Sequence, residues 1–123
     1  MRRAAVIGAP ETDWQQSQWL HAALVPRLVL DPAAVIGKAR DNLARFRQIG
    51  AIDVHSQPYA REWEAILDAG VAAIITILLD SSSHAATLRS CTPFAGALPQ
   101  AEVRAIKRAY RQRRRGARVL PLN

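Results

Sequence analysis

Residues 31–50, with the sequence DPAAVIGKARDNLARFRQIG, constrain the fold of this chain more than any other stretch. Asp31 and Pro32 are typical of a helix start, because aspartate caps free N–H groups and proline in the first helical position has no hydrogen bond to lose. Gly50 stands where such a helix ends. Apolar residues between them recur at intervals of four, four and three, which predicts an amphipathic helix. Its apolar face consists of Val35, Ala39, Leu43 and Phe46.

One segment, VAAIITILLD at residues 71–80, has the β-branched residues of a strand. No other part of the sequence offers a strand to pair with it, and a lone strand leaves its backbone N–H and C=O groups without partners. We therefore interpret it as a short buried helix. The predicted fold class is all-α, a compact single-domain bundle of about six helices.

The helix before residues 31–50 is predicted to begin at Trp14, after a cap at Asp13. Its apolar stripe meets Pro26, so we expect a kink or an early end before the sequence RLVL. This stripe consists of Trp19, Leu20, Ala23 and Leu24. Trp14, at the helix start, is the tryptophan expected at the surface.

The helix after residues 31–50 is predicted to begin at Pro58, with Ser56 as its cap, and to break at Gly70. Its stripe consists of Tyr59, Trp63, Ile66 and Leu67. A short capped helix, SHAATLRS, follows residues 71–80. We divide the chain into a flexible lead-in (1–12), a helical domain (13–115) and a tail (116–123) that begins where Gly116 ends the last helix.

The segment SCTPFAGALPQAE at residues 90–102 has two interpretations, a reactive loop around Cys91 or a buried corner between two helices. A nucleophilic cysteine needs a nearby base, and His84 lies seven positions earlier, about two helical turns away. We expect Cys91 instead to be a small buried residue at a helix end. The segment then folds as a hinge that positions the last helix.

The expected corner uses each of its special residues for a separate purpose. Pro93 disfavours helix at the residue before it, Phe94 anchors the corner in the core, and Gly96 permits a backbone turn. Leu98 returns to the core and Pro99 starts the last helix.

The sequence shows no pattern typical of a metal site, a catalytic carboxylate pair or a phosphate-binding loop. The three histidines and one cysteine match no zinc or iron spacing, and Glu62 and Glu64, two positions apart, point in different directions on a helix. No phosphate-binding glycine loop occurs. We predict no enzyme, no metal site and no cofactor. The longest apolar run, residues 71–79, is about half the length that crosses a bilayer, so we expect a cytoplasmic protein without a membrane partner.

The positive charge is concentrated at one end. Residues 99–118 contain eight Lys or Arg and one Asp or Glu, whereas the rest of the chain contains nine of each kind. This basic run is either a solvated helix end or a surface for an acidic protein or for nucleic-acid phosphates. The candidate partner- or phosphate-binding residues are Arg104, Lys107, Arg108, Arg111, Arg113, Arg114 and Arg115.

Three segments carry a resemblance: DPAAVIGKARDNLARFR, EWEAILDAG and LRSCTPFAGALPQAEVRAIKRAY. A helix opened by Asp-Pro, a Trp-Glu-x-Ile-Leu helix and a Leu-Arg-x-x-x-Pro-Phe-Ala-Gly-x-Leu corner resemble, in this order, the C-terminal part of helix-turn-helix antitoxin-type regulators of high-GC bacteria. The resemblance covers about residues 20–110. Such proteins often have an N-terminal helix-turn-helix domain, for which residues 1–19 are too short. The resemblance therefore implies a partner-binding module.

Together these observations favour a non-catalytic, antitoxin-like protein that masks a cognate toxin or other effector by protein–protein contact. The alternative is a small regulator whose arginine-rich last helix binds the phosphates of nucleic acid.

Overall fold

The computed structural model describes residues 15–119, with side chains described as far as residue 116. All regular secondary structure in this part is α-helical, which confirms the all-α prediction. The expected lead-in, Asp13 and Trp14 lie outside the described residues. The helices are α1 (15–22), α2 (Leu24–Leu30), α3 (Pro32–Gln48), α4 (Gln57–Ala69), α5 (Val71–Leu79), α6 (Ser83–Ser90) and α7 (Gln100–Val119).

The first predicted helix is interrupted before RLVL, as expected, and the break lies at Ala23, three residues before Pro26. The N–H of Ala23 still donates to the carbonyl of Trp19 (3.1 Å), and a new helix, α2, starts at the next residue. Pro26 falls in the first turn of α2, where backbone N–H groups have no helical acceptor, so its missing N–H costs nothing. The sequence RLVL, expected beyond the break, is the last part of α2.

Both ends of α3 are as predicted. The Asp31 carboxylate accepts a hydrogen bond from the N–H of Ala34 (3.3 Å), and Pro32 is the first helical residue. At the other end Gly50 has φ +72°, and the N–H of Ala51 reaches back to the carbonyl of Phe46 (2.8 Å). These bonds use carbonyls that the last helical turn leaves free.

The start of α4 differs from the prediction, because Ser56 does not cap it. Ser56 has helical backbone and its side chain makes no capping hydrogen bond. Asp53 takes this role: its carboxylate accepts from the N–H groups of His55 (3.0 Å) and Ser56 (2.9 Å). These backbone hydrogen bonds lower the pKa of Asp53. Gly70, with φ +105°, ends the helix as predicted.

The core lies between α2, α3, α4, α5 and the segment before α7. Trp63 is fully buried at its centre, where its indole N–H donates to the carbonyl of Leu88 (2.9 Å). The β-branched segment is the helix α5, which packs Ile74 and Leu78 into the same core and confirms the interpretation of residues 71–80 as a buried helix. The remaining large core residues are Leu24, Leu28, Val35, Leu43, Leu67, Leu88, Phe94 and Leu98, of which Leu88 comes from α6.

A buried arginine, which the sequence did not reveal, connects α6 to α5. Arg89 is 2% exposed, and its guanidinium donates to the carbonyls of Ile77 (2.8 Å) and Asp80 (2.7 Å) at the C-terminal end of α5. Those carbonyls lack helical partners and carry partial negative charge, so a cation suits the position.

The last helix is longer than predicted. Gly116 does not end α7, which continues to Val119, so the expected tail begins too early. A glycine inside a helix costs about 1 kcal/mol relative to alanine, which is too little to terminate a helix whose neighbours are arginine and alanine.

No single helix in residues 15–119 has both the length and the apolar character needed to span a membrane. Only α5 and α6 taken together meet that criterion, and they are bent by 105°.

Candidate functional site

Asn42 of α3 makes hydrogen bonds to the backbone of the corner between α6 and α7. Its side-chain amide donates to the carbonyls of Pro93 and Ala95, both at 2.8 Å, and the residue is 2% exposed. Phe94 lies between these two carbonyls in sequence and points into the core, where its ring meets Trp63 edge-to-face at 5.4 Å. The expected anchoring by Phe94 is confirmed, whereas Asn42 was not predicted because it falls on the apolar side of α3.

Gly96 is required at the corner for two reasons. Its φ of +80° is a conformation that residues with a side chain rarely adopt. A Cβ atom at this position would also lie 3.2 Å from Cε of Lys38, whose side chain runs over the turn. The structure thus confirms the turn expected there and adds Lys38 as a neighbour.

The expectation that Cys91 is buried is wrong. Cys91 ends α6 as predicted but is exposed. The core position expected for it is occupied by Pro93, which is fully buried two residues later. Neighbouring atoms still desolvate the sulfur, and this raises the pKa of the Cys91 thiol. His84, in the first turn of α6, pairs with Glu62 (2.7 Å), so its imidazole has a partner other than Cys91.

The first turns of α7 are fixed to α1 and α2. Tyr110 is buried, donates its hydroxyl to the side-chain oxygen of Gln15 (2.9 Å), and meets Trp19 edge-to-face at 5.2 Å. Within the first turn of α7, Glu102 pairs with Arg27 of α2 (2.7 Å). The orientation of the basic helix is therefore set by the bundle.

The structure separates the seven candidate binding residues into two groups. Four of them follow one another at intervals of four, three and four, so they share one face of α7, and all four are exposed. We call this row the arginine stripe; it consists of Arg104, Arg108, Arg111 and Arg115. The other three lie within one turn of the buried Tyr110, on the bundle-facing side, where Lys107 and Arg114 are half-buried and Arg113 is exposed.

Within the described residues, no ion pair engages an arginine of the stripe. The other exposed pairs belong to the bundle, where Arg40 meets Asp68 (2.9 Å) and Arg47 meets Glu64. Guanidinium groups stay protonated at neutral pH, so the stripe presents four adjacent positive charges to solvent.

A row of small side chains runs beside the stripe. Ala101, Ala105 and Ala109 recur every four residues and are exposed. The solvent-exposed side of α7 therefore has basic side chains along one edge and short, uncharged side chains along the other. Sequence periodicity alone contains this pattern, but only the burial of Tyr110 shows that both rows face outward.

Residues 15–119 contain no group of three or more His, Cys, Asp or Glu side chains close enough to hold a metal ion. No family model, curated protein or solved structure matches this chain.

Proposed function

We propose that this chain is a non-catalytic binding protein of the cytoplasm that masks a toxin or other effector protein, and that α7 is its contact surface. The observation that carries this proposal is the arginine stripe, four exposed guanidinium groups on one face of a helix that the bundle holds in place, none of which forms an ion pair with another described residue. The resemblance of residues 20–110 to antitoxin-type regulators supports a protein as the partner.

The partner surface that fits α7 best is an acidic helix. Carboxylates three and four positions apart on such a helix lie on one face, and guanidinium groups bind carboxylates with two parallel hydrogen bonds. The short side chains of Ala101, Ala105 and Ala109 let a second helix approach closely, because the distance between packed helices depends on the side chains at the contact. Charges at the edge of an interface mainly accelerate association.

A second candidate function is binding to the phosphates of nucleic acid. The same four guanidinium groups favour it, because exposed arginines along one helix face are the electrostatic footprint of phosphate binding. The two candidate functions differ in the role of the alanine row. A partner helix needs its short side chains in order to pack closely against α7, whereas a phosphate backbone does not.

The test compares two variants that remove the same charge. The stripe variant is Arg104→Gln, Arg108→Gln, Arg111→Gln, and the matched control is Arg40→Gln, Arg47→Gln, Arg61→Gln, three exposed arginines of the bundle outside α7. The binding partners are the purified product of the neighbouring gene and, separately, generic duplex DNA and RNA at physiological salt. We expect the stripe variant to associate with the protein partner about tenfold more slowly, with a smaller change in dissociation rate, and the control to behave as wild type.

A third variant, Ala105→Leu, separates the two functions. It adds bulk where a partner helix would pack and leaves every charge in place, so we expect weaker protein binding and unchanged nucleic-acid binding. Tight binding of the wild-type chain to generic duplex at physiological salt, lost in the stripe variant and kept in Ala105→Leu, would replace the protein-partner proposal with the nucleic-acid one.

A further inference from the structure

A pocket of about 150 Å³ lies where α1, the corner and the start of α7 meet. Most of its wall is apolar, formed by Leu20, Leu24, Phe94, Leu98 and Val103. An engineered apolar cavity of about this size holds one benzene molecule. The volume therefore matches a single six-membered aromatic ring.

One polar side chain in this wall, His21, is almost completely buried. It is 6% exposed, and its Nδ1 lies 2.7 Å from the carbonyl oxygen of Ser17. Since a carbonyl only accepts, Nδ1 carries the proton and donates it. This leaves Nε2 with a lone pair, as a hydrogen-bond acceptor.

The Nε2 atom has no hydrogen-bond partner in the described part of the chain, where both contacts of the ring are made by Nδ1. The Nε2 atom is also not completely enclosed by the surrounding protein. His21 is one of the residues that line the pocket.

The surroundings of His21 favour the neutral form of its ring. Burial lowers the pKa of His21, and the positive charge of Arg89 acts in the same direction, against the hydrogen bond to Ser17. A buried neutral acceptor without a donor costs free energy, so a ligand that brings a donor gains more here than one that does not.

We propose that this pocket binds a small aromatic molecule with one hydroxyl or N–H donor, its ring among the leucines and Phe94 and its donor on Nε2 of His21. This site is independent of the arginine stripe and of the proposed function. Because the wall includes the corner and Val103 of α7, an occupant would contact all three elements that meet there.

The experiment titrates the full chain with phenol and with anisole, which has a similar ring but no donor, and follows backbone amide chemical shifts. We expect saturable phenol shifts at residues lining the pocket, with a Kd on the order of 1 mM, and anisole binding about tenfold weaker, the factor that one hydrogen bond provides. Equal affinities for the two probes, or no saturable shift with phenol, would overturn the proposal.

Two variants locate the site and the acceptor. His21→Leu should remove the preference for phenol over anisole, whereas the control His84→Leu, on an exposed histidine, should keep it. Val103→Phe should fill the pocket and abolish binding of both probes. Phenol binding that persists in Val103→Phe would place the site elsewhere and refute the assignment. If His21→Leu does not fold, the comparison of phenol and anisole on the wild-type chain still decides.

Discussion

At the scale of single residues, Asn42 contributes more to the corner than its type suggests. Residues 93–95 form a turn against the core, in which the Pro93 carbonyl makes a buried hydrogen bond and the Ala95 carbonyl a partly buried one. The amide of Asn42 satisfies both carbonyls with one side chain. The side-chain oxygen of Asn42 accepts a hydrogen bond from Arg45 (3.2 Å), so both the nitrogen and the oxygen of the amide have partners.

We predict that Asn42→Ala lowers the free energy of unfolding by about 2–3 kcal/mol, because it leaves buried carbonyls without donors. Urea unfolding followed by circular dichroism measures the change. The control is Arg45→Ala, which removes the exposed end of the same network and should cost less than about 1 kcal/mol. A loss for Asn42→Ala no larger than that of the control would show that the corner does not depend on the amide.

At the scale of elements, the glycines distinguish positions that need left-handed backbone from positions inside helices that do not. Gly50, Gly70 and Gly96 have positive φ and mark the end of α3, the end of α4 and the corner. Gly116 has no such conformation and lies inside α7 with open space around its Cα. Glycine thus ends two helices, permits the turn at the corner and, at Gly116, only lowers the stability of the helix around it.

We predict opposite effects for two glycine-to-alanine substitutions. Gly116→Ala should stabilise the end of α7 by about 1 kcal/mol of helix propensity and slow amide hydrogen exchange in residues 112–119. Gly96→Ala should destabilise the whole protein by about 1–3 kcal/mol, because alanine is strained at φ +80° and its Cβ meets Lys38. Faster exchange in Gly116→Ala would mean that the glycine does act as a helix end.

At the scale of the whole molecule, the charge is divided between a balanced bundle and a basic helix. Acidic side chains of the bundle are paired locally, as with Asp68 and Arg40 or Glu64 and Arg47. The stripe has no such partners in the described residues, and its like charges three and four positions apart repel. The isolated protein therefore carries electrostatic strain on the surface that we assign to binding.

We predict that the stripe variant is more stable than the wild type by on the order of 0.5–1 kcal/mol at low ionic strength, since each like-charge pair costs about 0.2–0.5 kcal/mol. The gain should shrink at about 0.5 M salt, where screening weakens the repulsion. Urea unfolding at both salt concentrations provides the measurement, and the charge-matched control should show no gain. A stripe variant less stable than the wild type at low salt would mean that these arginines have stabilising partners.

The helices themselves follow from the sequence, because their physics is local. The cap at Asp31, the end at Gly50 and the buried face of α3 depend on residues within a few positions of one another. The cap and the end are as predicted, and the face buries three of its four expected residues, with Phe46 half-buried. The helical state of residues 71–79 followed from the lack of a pairing strand. Local signals also misled: Ser56 and Gly116 have the right residue type for a cap and a stop, but neither acts as one.

The site depends on contacts that only the tertiary structure creates. Asn42 and Pro93 are 51 positions apart, and Tyr110 and Gln15 are 95 apart, so no periodicity could pair them. The sequence determined that a basic helix exists and which residues carry its charge. The burial of Tyr110 against α1 decided which arginines face solvent together, and the packing of Pro93 and Phe94 decided that Cys91 is exposed. Residues close in sequence determine the backbone conformation of a helix. Which face of that helix is exposed depends on the distant part of the chain that packs against its other face.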